Sequence, residues 1–347
     1  MFNRNLTYYR LQRGMTKCRL AELIGTSPMA VTNYEKGARM PNIEMVRSIA
    51  GALQVSISDL FSSRNQSLVF QHGDFRKCSS LSEGRQEFVK ESIEEYCSRF
   101  FTMADILDQG VLATPPVMHE YTLEDDDELN ALNIRDWLSI SRTGPVPELV
   151  STLENKGLLI QFLDITDSSF SGINGLVNHR PYIFLNRHMT PERQRSTLVH
   201  ELAHLLIRWP DDISPAECEK RANSISGAFL IPREDALREL GSRRHSITGD
   251  MEMVAVEYGI SLQLLVKRAQ LLGIVSENTY RNFCINISKL GWRKNEPSRI
   301  KGEEPTLLKQ MILRAVGEGV ISIQRGAELL RVPFVEIERI CYPIGVH

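Results

Sequence analysis

Apolar side chains recur at helical spacing along most of this chain, while alternating or continuous apolar runs are short and few. Leu20, Ala21, Ile24, Val31 and Tyr34 supply the inner faces of two short helices. Thr16 is placed to cap the first and Gly25 turns the chain; Ser27 caps the second, Pro28 takes its first position and Gly37 ends it. A helix over 5–13, stopped by Gly14, precedes them. Phe88, Ile93, Tyr96, Phe100, Met103 and Leu107 then predict a long helix over 82–108, broken at Thr114-Pro115-Pro116. The acidic run from Glu124 to Glu128 starts the next helix, where negative charge suits the dipole. Helices over 129–140 and 145–155 lead to a strand over 158–163. Ser171-Gly172-Ile173-Asn174-Gly175 reads as a turn, and 180–186 as another strand of a small sheet. If that strand lies at an edge, it can hold an extended peptide by backbone pairing. Helical spacing returns over 197–206, beyond Pro215, over 233–240, and through a tail over 305–347.

Composition divides this run of elements. A chain of 347 residues holds two or three domains, and 42% hydrophobic with 24% charged residues is the balance of a soluble globular protein. The polar stretch 62–80 reads as a hinge, giving a head (1–61), a connector (62–123), a body (124–300) and a helical tail (301–347). No apolar run is long enough to span a bilayer, and the first residues lack the apolar core of a signal peptide, so a cytoplasmic location without membrane contact is expected. The six cysteines show no paired spacing, which favours a reducing compartment. Residues 1–60 carry eight basic against four acidic side chains although the whole chain is at −2. A basic head on an acidic body fits DNA contact by the head.

The body carries the chemistry. Within 197–206, His200 and His204 stand four apart on one helical face with Glu201 on the flank. Two neutral imidazoles can fix a divalent metal, and an adjacent carboxylate can take the proton of a water that the metal acidifies. The reaction implied is peptide hydrolysis. A third ligand is needed, and Glu219 competes for that role with Glu217 and Asp212. Asn223 shares the face of Glu219 and is a candidate to steady it, whereas Cys218 is better read as a neutral thiol. Zinc leads on ligand type, with manganese or iron not excluded.

Arg195 to His204, the block from Glu219 to Asn223, Phe229-Leu230-Ile231-Pro232 and the 180–186 strand together resemble the ImmA/IrrE family of metallopeptidases. That resemblance implies a zincin-like, gluzincin site with His200, His204 and Glu219 as ligands and Glu201 as general base; His245 and Tyr258 are candidate oxyanion donors, with surface placement as the alternative. Leu20-Ala21, Gly25-Thr26-Ser27, Val31, Glu35, Gly37, Pro41 and Ile49-Ala50 resemble the XRE/Cro-type helix-turn-helix. By that likeness Met29, Thr32 and Asn33 face bases from the second helix, and Ser27 sits at its DNA-facing start. Lys17, Lys36, Arg39 and Asn42 contact phosphates, and Arg10 pairs internally with Glu35. The fold class expected is α+β, mainly helical: an all-α helix-turn-helix domain, a gluzincin-like domain with a small sheet, and a helical C-terminal tail. In that tail, 321–333 faintly resembles a further helix-turn-helix, although a helical cap or dimer-forming arm is the default.

The function expected is that of a DNA-binding zinc peptidase that cleaves one protein, by resemblance a Cro-like transcriptional repressor in a phage, mobile-element or stress-response setting. The competing expectation is a transcriptional regulator or antitoxin that keeps the metallopeptidase fold as a sensor or a surface for a cognate repressor or toxin. Self-cleavage in the 62–80 hinge is a third. Double-stranded DNA and a homodimer, from paired half-sites, are the other partners expected.

Overall fold

The computed structural model describes residues 1–62, 64, 65, 67–72, 81–108, 110 and 112–342. It opens with α1 (Phe2–Gln12), α2 (Lys17–Ile24), α3 (Pro28–Glu35), α4 (Ile43–Leu53) and α5 (Ile57–Phe61), followed by β1 (Phe70–His72) and α6 (Glu83–Ile106). Next come β2 (Tyr121–Thr122), α7 (Asp127–Leu138), α8 (Leu149–Asn155), β3 (Leu159–Leu163), β4 (Gly172–Val177) and β5 (Arg180–Asn186). Then follow α9 (Pro191–Leu206), β6 (Ile207–Arg208), α10 (Pro215–Leu230), α11 (Arg233–Leu240), α12 (Gly249–Tyr258), α13 (Leu262–Leu271), α14 (Glu277–Lys289) and α15 (Trp292–Asn295). The tail forms α16 (Leu307–Gly317), α17 (Ile323–Leu330) and α18 (Phe334–Cys341). The fold is mainly helical with a small mixed sheet, as the spacing predicts.

Two compact units result. One is Met1–Val69 with Cys78–Leu112 and Thr306–His347; the other is Phe70–Lys77 with Ala113–Pro305. In the first unit, local rules and burial agree. Thr16 accepts from the backbone N–H of Arg19, Ser27 from that of Ala30, and Gly25 takes the left-handed conformation between α2 and α3. Leu6, Leu20, Val31, Ile49, Leu53 and Leu60 are buried together beneath these helices.

The second unit is built round a sheet of order β1-β4-β5-β3, with β3 parallel to β5 and the other pairings antiparallel. Every residue of β5 is buried. This strand, expected from the sequence as a possible peptide-binding edge, therefore lies between β4 and β3. The stretch 171–175 differs from its reading as a turn: Gly172 to Gly175 belong to β4. Glycine serves close approach here, because a Cβ on Gly172 would lie 2.7 Å from Leu185 Cδ2 and one on Gly175 would lie 2.5 Å from the Tyr182 hydroxyl. Gly175→Ala should accordingly cost about 1–3 kcal/mol, read as a lower thermal midpoint. Part of the expected hinge differs too. Residues 70–72 pair with β4, and 73–80 lie outside the described residues.

Helix α9 packs on β4 and β5, and α10 lies beside α9 and against α7, with Leu198, Val199, Leu202, Ile225 and Phe229 in the shared core. Arg135 of α7 fixes the far end of α10. Its buried guanidinium donates to the carbonyls of Phe229 at 2.8 Å, Ser141 at 2.7 Å and Gly144 at 3.0 Å, and burial lowers its pKa to about 10. No helix among the described residues is long and apolar enough to cross a membrane.

Candidate metal centre and nucleic-acid interface

Helix α9 starts at Pro191 and buries Leu198, Val199, Leu202, Leu205 and Leu206 on its inner side. That leaves His200 and His204, one turn apart, with only 12% of each side chain exposed. Helix α10 starts at Pro215 with Ser214 as its cap, so Glu219 arrives early on it and faces the two imidazoles. The Nε2 atoms of His200 and His204 are 3.2 Å apart, and the Glu219 carboxylate oxygens lie 3.2 Å from the first and 3.3 Å from the second. Ligand bonds of roughly 2.0 Å at tetrahedral angles place donor atoms about 3.3 Å apart. The three side chains thus have both the chemistry and the spacing of a cradle for one divalent ion, and they form a His/Glu group able to hold one.

Of the carboxylates weighed as third ligand, Glu219 is the one brought to the imidazoles, whereas Glu217 pairs with Lys220. Cys218 places its sulfur 3.8 Å from His204 Nδ1, the ring nitrogen away from Glu219. Asn223 is exposed, and its side-chain N–H donates to the Glu219 main-chain carbonyl at 2.8 Å rather than to the carboxylate. Glu201 is 3% exposed, and its Oε2 accepts from Asn174 Nδ2 of β4 at 2.6 Å. Sequence reasoning missed Asn174, since its glycine neighbours signalled a turn. The oxyanion candidates stand elsewhere. Tyr258 is buried against Arg238, with burial pushing its hydroxyl up to about 12, and His245 is exposed.

A cleft of about 750 Å³ opens over this group, lined among others by Gly172, Arg193, Thr197, Lys267 and Leu271. His200, Glu201 and Glu219 stand in its wall.

In the first unit, the residues expected at DNA lie around α3. Met29 is 67% exposed, Lys36 and Arg39 are exposed, and Thr32 and Asn33 are half-buried. Ser27 spends its side-chain oxygen on capping α3, and Asn42 does the same for α4. Arg10 and Glu35 form a buried ion pair, as expected, and Lys17 Nζ also reaches Glu35 at 3.3 Å.

Comparison with known proteins agrees with both resemblances. Residues 6–60 match the helix-turn-helix family model, and residues 153–270 match that of the IrrE N-terminal-like domain, a peptidase M78 family. An uncharacterized HTH-type transcriptional regulator, YqaE, of Bacillus subtilis (strain 168) is 34% identical over 71 residues, which is 20% of this chain and 61% of that protein. The chain therefore spans less than two thirds of this relative. The helix-turn-helix implies DNA binding, and the second match spans β3 to α13, including all three residues of the His/Glu group.

Proposed function

We propose that this chain, an XRE-type helix-turn-helix joined to an IrrE N-terminal-like domain, is a DNA-binding, zinc-dependent endopeptidase that cleaves a transcriptional repressor. We assign 1–61 to the DNA and 124–300 to hydrolysis. The observation that carries the reading is the Glu201 carboxylate, held by Asn174 on the flank of His200, His204 and Glu219. His200, His204 and Glu219 would hold a divalent ion, which would supply Lewis acidity for a peptide carbonyl and for water. Glu201 would take a proton from water in the cleft and return it to the leaving nitrogen. Asn174 keeps the carboxylate in one orientation while it does so. The cleft admits a stretch of chain rather than a single side chain, which suits an endopeptidase. Zinc is preferred on its donors, and manganese or iron is compatible with the same set.

The zinc-loaded chain should be incubated with purified Cro-like repressors and the products weighed by mass spectrometry. Cleavage of one repressor is expected. Unchanged masses of every protein present would set the peptidase aside in favour of a regulator that binds its partner without cutting, and fragments of this chain itself would place cleavage in its own linker. At the DNA, Asn33→Ala should cost about 1–3 kcal/mol and relax one base position, whereas Lys36→Ala should lower the salt slope of binding by about 1. A binding titration over salt concentration separates the two effects.

A further inference from the structure

The C-terminal helices repeat the geometry of the first ones. At one constant shift along the chain, Thr16 maps to Ser322, Arg19 to Arg325, Ala21 to Ala327, Glu22 to Glu328, Gly25 to Arg331 and Val31 to Ile337. The details correspond as well. Ser322 caps α17 by accepting from the Arg325 N–H as Thr16 accepts from that of Arg19. Arg331 ends α17 at φ 61°, ψ 38°, against 66° and 40° for Gly25. The next N–H returns to Ala327 in one case and Ala21 in the other, three residues separate the helices in both, and Ile337 and Val31 are both fully buried. Helices α1 and α16 likewise end in left-handed glycines, Gly14 and Gly319. A non-glycine residue is uncommon in that conformation. Arg331 is held there by bonds to Glu95 at 2.7 Å, Asp59 at 3.2 Å and the Tyr9 hydroxyl.

The repeat keeps the scaffold of a DNA-binding motif and loses its charge. Where α2 and α3 offer Lys17, Thr32 and Lys36, the matching positions are Ile323, Glu338 and Tyr342. Phosphate oxygens would meet Glu336 and Glu338 on α18 with Arg339 as its only cation, so this face does not suit a polyanion. Its outer side also carries exposed apolar side chains: Val335 is 72% and Phe334 43% exposed. Glu336 and Arg339 stand three apart on the same exposed side, and among the described residues neither has an ion-pair partner. A two-fold contact requires a patch complementary to itself. Opposite charges one turn apart beside two apolar side chains make such a patch, because antiparallel pairing of two α18 helices sets each Glu336 against the other copy's Arg339.

We propose that α16–α18 is a second helix-turn-helix turned to protein contact, and that its α18 face pairs with the same face of a second copy of this chain. The inference is independent of peptidase activity. Sedimentation of the full chain over a range of concentrations should show a monomer–dimer equilibrium. Glu336→Arg sets like charges against each other and should weaken it about tenfold or more, and Glu336→Arg combined with Arg339→Glu should restore it. Val335→Glu, at a site open to solvent, should weaken it independently, with circular dichroism confirming that each variant is folded. A monomeric wild type, or a dimer indifferent to all three changes, overturns the proposal. So does loss of affinity for a mixed-sequence DNA duplex at unchanged mass, which would make α18 a DNA-contacting helix.

Discussion

Glu201→Gln is expected to retain the full metal content of the wild type and to lower peptide cleavage by about 10²–10⁴-fold, the usual contribution of a positioned general base. The side chain is 3% exposed and lies between α9 and β4, so an isosteric amide fits the same space and its oxygen still accepts from Asn174. Only the capacity to take a proton is lost. The fall should therefore appear in kcat with little change in KM. Glu219→Ala should do the reverse at the first step: with two imidazoles left, metal analysis after dialysis should show a depleted protein, and excess zinc should recover part of the rate. Asn174→Ala should retain metal and lose about tenfold in rate. A Glu201→Gln variant that cleaves its repressor at the wild-type rate would remove the hydrolytic account, whatever the metal content.

The difference between what the sequence discloses and what it hides follows the range of each interaction. His200 and His204 are legible as a pair because a helix fixes the relation of residues four apart, and apolar neighbours mark which face they leave open. Glu219 follows at one remove, since Pro215 marks where its helix begins. Asn174 was hidden because Gly172 and Gly175 carry one letter for two uses. The contacts with Leu185 and Tyr182 that require them come from another strand, and no local pattern announces them. The same limit governs the tail. Its helix-turn-helix reads faintly with Arg331 where glycine is the usual signal, and the groups that hold Arg331 come from α1, α5 and α6, far away in sequence. Tyr258 shows the opposite error: a residue type suited to the chemistry lies in a packed interior beside Arg238.

Glu95→Gln should destabilise the chain by on the order of 3 kcal/mol at pH 7, and the loss should vanish in acid. Glu95 lies 3% exposed on α6 and accepts from Arg99 at 2.9 and 3.0 Å and from Arg331 at 2.7 and 3.1 Å. Burial by itself would push this carboxyl up, but Arg99 and Arg331 outweigh burial and hold it down from an ordinary 4.5 to about 2. A carboxyl whose folded pKa lies below its unfolded one stabilises fully above the unfolded value and loses that contribution as pH falls through the folded value. The wild-type advantage should thus be complete above pH 4.5 and fade towards pH 2. Because Arg99 also donates to the Leu329 carbonyl at 2.6 Å, the amide leaves its guanidinium without an anion where α17 meets α6, and leaves Arg331 with Asp59 alone. Calorimetry of both proteins at several pH values isolates this one group, since every other carboxylate is shared and cancels in the difference. Equal melting at pH 7, or a gap that persists unchanged at the acid end, would show that Glu95 is not the anion on which this part of the fold depends.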